Sequence, residues 1–374
     1  MGEKKSGGAG LRGQVAGNTA LSTVGKTGKG LTYRGFAIEE LAEKATFEEV
    51  AYMLLYGSLP TQSEYDAYSK KLKSFRSLPQ ELKDVLERIP KSTHPMDVMR
   101  TGCSMLGNLE PEGGFKNQNN TADRILAAMP SIIAYWYRFS HDGVRVNTST
   151  DHDTIGGQFL SLLTGKEPSE EHSRALDVSL ILYAEHGFNA STFTARICAS
   201  TLSDMYSCVT GAIGTLRGPL HGGANEAAME MVEKYSSRAE AKAGLLELLS
   251  NKEKIMGFGH AVYTKEDPRN AIIKVWAEKL SQSNGDATLY EVSDEVERVM
   301  AEEKGMFANT DFFMASAYHY LGIPTQIFTP LFVVGRTSGW TANVMEQRAD
   351  NRIIRPSEDY IGPDNSVWVD MSDR

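Results

Sequence analysis

Three short stretches of the 374-residue chain place titratable side chains beside breaks in the backbone. In GPLHGGANE (218–226), His221 follows a proline and precedes two glycines where the chain enters a helical pattern. In MGFGHAVYTKEDPRN (256–270), Gly257 and Gly259 let backbone approach a ligand closely beside His260, and Arg269 follows just inside the next helix start. In ANTDFFMA (308–315), Asp311 stands at the head of an apolar helical run. Helix starts expose unpaired N–H groups and partial positive charge, which disfavours an imidazolium and keeps His221 a neutral hydrogen-bond donor able to polarise a carbonyl. A fourth position is Arg336 in PLFVVGRTSGW: an arginine inside an apolar helix needs a buried anion or a route to solvent, and a ligand carboxylate is one such anion. Each residue also has a plainer reading. Asp311 has the position of an N-cap, His221 and His260 of satisfied loop histidines, and Arg355 in NRIIRPS of a surface charge.

The elements that must carry these residues are helical almost throughout. Thr46 with Glu49, and Thr61 with Glu64, have capping-box spacing, and the first apolar face stops at Gly57 and Pro60. Further helices are predicted at 79–89, 95–107, 121–139, 155–164, 170–185, 189–216, 224–235, 238–250, 268–281, 290–304, 311–321 and 326–348. Strand patterns are confined to LRGQV near the start and VWVD near the end. The fold class is therefore all-α. The length exceeds what one hydrophobic core usually serves, yet no low-complexity linker or fixed-period repeat divides the chain, so a second domain must be an insertion.

Composition closes off several functions. A chain 41% hydrophobic and 23% charged is an ordinary globular protein, and its net charge of −9 leaves no basic footprint for nucleic acid or an anionic membrane surface. An anionic ligand must then meet a local cluster of Arg or Lys. The three cysteines form no C-x-x-C pair and read as buried thiols of a reducing compartment. The longest apolar run, at 126–139, is too short to span a bilayer and contains Pro130, and no apolar signal core opens the chain, so a cytoplasmic protein is expected. MGEKKS matches the loose myristoylation pattern, a reading outweighed by the frequency of Gly- and Lys-rich starts. His141, Asp142, Asp151, His152 and Asp153 include metal-ligating residue types but sit in a turn-like stretch without helical ligand spacing; the reading is a solvated loop, and no metal is expected.

Taken together, YAEHGFNASTFTAR (183–196), GAIGTLRGPLHGGANE (211–226), GFGHAVY with DPR (257–269), NTD (309–311), TPLFVVGRTSGW (329–340) and IIRP (353–356) resemble the citrate synthase family along nearly the whole chain, most closely its bacterial 2-methylcitrate-forming branch. The resemblance implies a mostly helical homodimer with a large domain formed by 1–219 and 319–374 and a small domain inserted at 220–318. It implies condensation of oxaloacetate with an acyl-CoA co-substrate followed by thioester hydrolysis, with no permanently bound cofactor. In that scheme Asp311 removes a proton from the carbon beside the thioester carbonyl, His221 donates to the developing enol oxygen, and His260 polarises the keto group. His186 helps hold oxaloacetate, while Arg269, Arg336 and Arg355 grip its carboxylates, Arg355 reaching in from the partner subunit. Lys254, Ile255, Met256, Gly257 and Phe258 match the segment that lies along CoA. Where many family members carry Arg and Lys after the second histidine, this chain has Ala261 and Thr264, leaving Lys265 as the substitute cation. The resulting Y-T-x-x-D-P-R pattern favours propionyl-CoA over acetyl-CoA, with Phe332, one helical turn before Arg336, as a wall of the acyl pocket. The alternatives are an acetyl-preferring citrate synthase and a non-catalytic helical binding protein.

Overall fold

A computed structural model describes Leu11, residues 13–26 and residues 29–374. The hexapeptide MGEKKS lies outside the described residues. Helices dominate, sixteen among the described residues, of which Ile38–Lys44 is not among those read from the sequence, and both capping boxes form: Thr46 and Thr61 accept from the backbone of Glu49 and Glu64, whose side chains bond back to the cap N–H groups.

Two local expectations are overturned. The pattern read as one helix at 189–216 is two, Ala190–Ser200 and Met205–Leu216, because Leu202 takes a positive φ of 67° and Asp204 caps the second helix by accepting from Ser207 N–H. Neither LRGQV nor VWVD is a strand among the described residues. Gly13 turns the first at φ 81°, and the second lies in an exposed tail with no pairing edge, Trp368 being 79% exposed. The small antiparallel sheet is instead made of Ser22–Lys26, Lys29–Tyr33 and Phe36–Ala37. Glycines and lysines hide its alternation, and burial of Leu21, Leu31 and Tyr33 against the helices holds it.

One core underlies the long helices Gln118–Asp142, Glu170–Tyr183 and Phe328–Ala349. The helices Ala224–Val232, Arg238–Ser250, Pro268–Asn284, Thr288–Lys304 and Thr310–Tyr320 pack chiefly on one another. Helix Phe328–Ala349 presses unusually close to residues 180–185. A Cβ on Gly335 would lie 2.9 Å from the Leu180 carbonyl oxygen, and one on Gly339 would lie 2.2 Å from that of Ala184. Only glycine permits this approach, and it brings Arg336 beneath the end of helix Glu170–Tyr183.

Candidate active site

A cavity of about 670 Å³ opens between the two groups of helices. Its lining unites residues from five distant parts of the chain: Val24, Tyr183 and His186, His221, residues 254–262 with Arg269, and Asp311 with Phe332 and Arg336. Of the residues singled out from sequence, His221, His260, Asp311, His186, Arg269, Arg336, Phe332 and all of Lys254, Ile255, Met256, Gly257 and Phe258 line it. Arg355 and Lys265 do not; both are exposed and outside the lining.

Asp311 is not the helix cap. Asn309 takes that task for Thr310–Tyr320, its side chain accepting from Asp311 N–H at 3.1 Å, which frees the Asp311 carboxylate to face the cavity. The loop bearing His260 is zipped to this helix start. Asn309 N–H donates to the Gly257 carbonyl at 2.9 Å, Gly259 N–H to that of Phe307 at 2.8 Å, and Asn309 Nδ2 to that of Gly259 at 3.0 Å. Positive φ at Gly257 (86°) and Gly259 (73°) is what lets the loop lie so close. Burial pushes the Asp311 carboxyl above its ordinary value, opposed by the hydroxyl of Tyr183, which donates to Oδ1 at 2.6 Å.

His221 stands in the turn ahead of helix Ala224–Val232, so the terminus that addresses its ring is a different one. Ser191 N–H, in the first turn of Ala190–Ser200, donates to Nε2 at 3.3 Å. A backbone N–H only donates, so Nε2 is the acceptor and the neutral ring carries its proton on Nδ1. Burial first, then the positive charge of Arg336, lower its pKa to about 4. The helix-start explanation drawn from sequence is thus replaced by burial and a neighbouring cation. Ser191 is itself fixed, its hydroxyl accepting from Trp340 Nε1 at 3.1 Å and lying 2.8 Å from His221 Nε2.

His260 is held the opposite way round. Val262 and Tyr263 N–H groups donate to its Nδ1 at 3.0 and 3.2 Å, leaving the proton on Nε2, and burial followed by Arg269 lowers its pKa to about 4. His186, 8% exposed, lies edge-on to His260 with ring centres 5.0 Å apart and meets the Tyr263 hydroxyl at 3.0 Å. Burial, with Arg269, His260 and Arg336 nearby, pushes its pKa well down. All three histidines are therefore neutral at pH 7 and have donor or acceptor roles rather than charges.

Positive charge comes from two buried arginines. Arg269 grips Asp267 through Nε at 2.9 Å and Nη2 at 2.7 Å, which anchors it and leaves Nη1 without a hydrogen bond among the described residues. Arg336, 1% exposed, donates from Nε to the Tyr183 carbonyl and has no ion-pair partner among the described residues. Its guanidinium lies 4.8 Å from the centre of the Phe332 ring, and Phe332 stacks on Tyr183 at 4.1 Å and presents to the His221 ring at 6.2 Å. A buried cation without a carboxylate partner, beside neutral donors and one carboxylate, suits a small polyanion undergoing proton abstraction next to a carbonyl.

The alternative metal cluster is not assembled. Asp142 pairs with Arg138, His152 with Glu167 and Asp153 with Lys73, while His141 stacks on Tyr137. Among the described residues no three His, Cys, Asp or Glu side chains are grouped to hold a metal, and no helix is long and apolar enough to cross a membrane. Sequence reasoning missed Tyr183, Ser191 and Val24. Tyr183 and Ser191 lie within a quoted motif but carry no spacing signature, and Val24 enters from the unrecognised hairpin.

The chain belongs to the citrate synthase family, whose description, citrate synthase, C-terminal domain, matches residues 10–357. Among individual relatives, the 2-methylcitrate synthase of Shewanella oneidensis is 67% identical over 371 residues, 99% of each chain. The citrate synthase of Deinococcus radiodurans is 40% identical over 98% of each chain. Citrate synthase of Thermoplasma acidophilum, solved as a ternary complex with carboxymethyl coenzyme A and oxaloacetate, superposes with a TM-score of 0.90 at 30% identity, covering 97% of this chain and 98% of that one. Thermotoga maritima citrate synthase gives a TM-score of 0.86 at 36% identity over 98% of this chain and 99% of its own.

Proposed function

We infer that the protein condenses oxaloacetate with propionyl-CoA, and more weakly with acetyl-CoA, releasing 2-methylcitrate or citrate and CoA. The observation that carries this reading is a cavity holding one carboxylate, neutral histidines with their protons on opposite ring nitrogens, and a buried arginine without a carboxylate partner. Asp311 takes a proton from the carbon beside the thioester carbonyl as His221 Nδ1–H donates to the oxygen that becomes the enol. That carbon attacks the keto carbon of oxaloacetate, whose oxygen accepts from His260 Nε2–H. Water then cleaves the thioester, giving a carboxylate and the CoA thiol. Arg269 through Nη1 and Arg336 hold the oxaloacetate carboxylates, guanidinium geometry matching carboxylate oxygens, with His186 beside them.

Residues 254–258 run along CoA in this scheme. Lys254, which lines the cavity, is the better placed cation for its phosphates, while Lys265 stands outside. A division into 1–219 with 319–374 and an inserted 220–318 belongs to the same reading, supported by the helices from Ala224–Val232 to Thr310–Tyr320 packing chiefly on one another. Exposure of Arg355 away from its own cavity supports a homodimer in which it serves the partner's site, and the reading is of a cytoplasmic enzyme. The wall of Phe332 and Tyr183 suits one additional methyl group. Such a group in an apolar pocket is worth about 10- to 200-fold, so propionyl-CoA is expected to exceed acetyl-CoA in kcat/KM within that range, and Phe332→Leu is expected to narrow the ratio. Steady-state rates with both thioesters and oxaloacetate test this. Equal or acetyl-favouring constants make the protein a citrate synthase, and an unchanged ratio in the variant removes Phe332 from the pocket.

The pH profile follows from the environment of the base. The Tyr183 hydroxyl stabilises the charged Asp311 carboxylate and so holds it below where burial alone puts it. Tyr183→Phe raises it further, so the acid limb of kcat/KM, where the carboxylate must be ionised, is expected to move to higher pH while the plateau above it persists. A profile superimposable on the wild type excludes Tyr183 from tuning the base.

A further inference from the structure

We propose that Tyr263, which stands outside the cavity lining, is a positioning residue for the oxaloacetate end of the site, its hydroxyl fixing the His186 ring and its own ring bracing that of His260. The proposal rests on the reading that these two histidines face oxaloacetate. Tyr263 is 7% exposed and ends the GFGHAVY motif, three residues after His260. Its hydroxyl lies 3.0 Å from His186 Nε2, and the two rings meet edge-on with centres 5.5 Å apart. The same phenol ring lies against that of His260, centres 4.6 Å apart and planes at 35°, while the Tyr263 backbone N–H reaches His260 Nδ1 at 3.2 Å. One residue thus touches two histidines that come from distant parts of the chain.

The proton positions follow from the partners. A phenol donates well and accepts poorly, and an unprotonated imidazole nitrogen is a strong acceptor, so the hydroxyl donates to His186 Nε2 and the neutral ring carries its proton on Nδ1. At His260 the arrangement is reversed, Nδ1 accepting from the N–H groups of Val262 and Tyr263. Without the hydroxyl, His186 loses both the bond that orients its ring and the bond that selects its tautomer. Tyr263 is itself held by the N-terminal hairpin. A Cβ on Gly25, in strand Ser22–Lys26, would lie 2.8 Å from Val262 Cγ1 and 3.7 Å from Tyr263 Cδ1, so the strand packs on this loop. The same strand accepts the Gly187 N–H on Ser22 Oγ at 3.1 Å, beside His186. The hydroxyl and the ring of Tyr263 therefore have separate tasks, which substitution can separate.

Tyr263→Phe removes the hydroxyl and keeps the ring and the backbone N–H. In steady-state assays with oxaloacetate and propionyl-CoA, its KM for oxaloacetate is expected to rise about two- to tenfold, the usual worth of a hydrogen bond between neutral groups, with kcat and KM for propionyl-CoA unchanged. Tyr263→Ala also takes the ring from His260, and kcat is then expected to fall by about tenfold or more, since displacing a catalytic group by about 1 Å can cost about 10²-fold. A double variant isolates the route: added to His186→Ala, Tyr263→Phe is expected to raise KM for oxaloacetate no further, because its effect passes through that ring. A further rise of the same size in the His186→Ala background overturns the proposal, as do wild-type constants in Tyr263→Phe. Losses in kcat and in both KM values together, with a lowered Tm, also overturn it and make Tyr263 a structural brace of the loop. A wild type with no oxaloacetate-dependent turnover instead defeats the functional reading, and this proposal with it.

Discussion

Asp311→Asn is expected to lower turnover by about two to four orders of magnitude, the usual worth of a positioned general base, with Tm shifted by only a few degrees. The amide is the same size and still accepts from the Tyr183 hydroxyl, and the helix keeps its cap because the cap is Asn309. What is lost is the ability to take a proton. Near-normal turnover in this variant would assign the base elsewhere. The same variant tests the assembly. Arg355 is exposed and outside the lining of its own cavity, and the proposed homodimer gives it to the partner's site. Mixing Asp311→Asn with Arg355→Ala subunits is then expected to create one intact site per hybrid dimer and raise activity above either parent. No recovery, with exchange demonstrated, would show that each site is built from one chain.

Removing the neutral donor has the next largest expected effect. His221→Ala should cost about two to three orders of magnitude in kcat, as loss of a preorganised donor to a developing oxyanion does, while KM for oxaloacetate changes little. The argument is geometric: Ser191 N–H claims Nε2, so Nδ1–H is what the ring offers to the cavity. With its pKa near 4, the ring donates without first losing a charge, and turnover should be independent of its titration at neutral pH. A decrease confined to KM for oxaloacetate would move His221 to the binding of that substrate and leave the enol oxygen to another group.

Much of the scaffold was readable along the chain. Apolar periodicity located most helices to within a few residues, and Thr46–Glu49 and Thr61–Glu64 announced their helix starts, because a helix and its cap are decided by groups three or four residues apart. The same locality made Asp311 read as a cap and 189–216 as one helix: spacing cannot tell Asn309 from Asp311, nor foresee a left-handed Leu202. The residue types of the site were legible too, a histidine between glycines and an arginine in an apolar run. Their roles were not, since a proton's place on His221 depends on Ser191, thirty residues away, and the charge of Asp311 on Tyr183, 128 residues away. Tertiary structure alone decided that Arg336 lies under Tyr183, that Glu185 lies against Gly339 and that Val24 lines the cavity. The physical reason is that hydrogen bonding along the backbone is local, whereas desolvation and Coulomb interaction depend on whatever the fold brings within a few ångströms, at any distance in sequence.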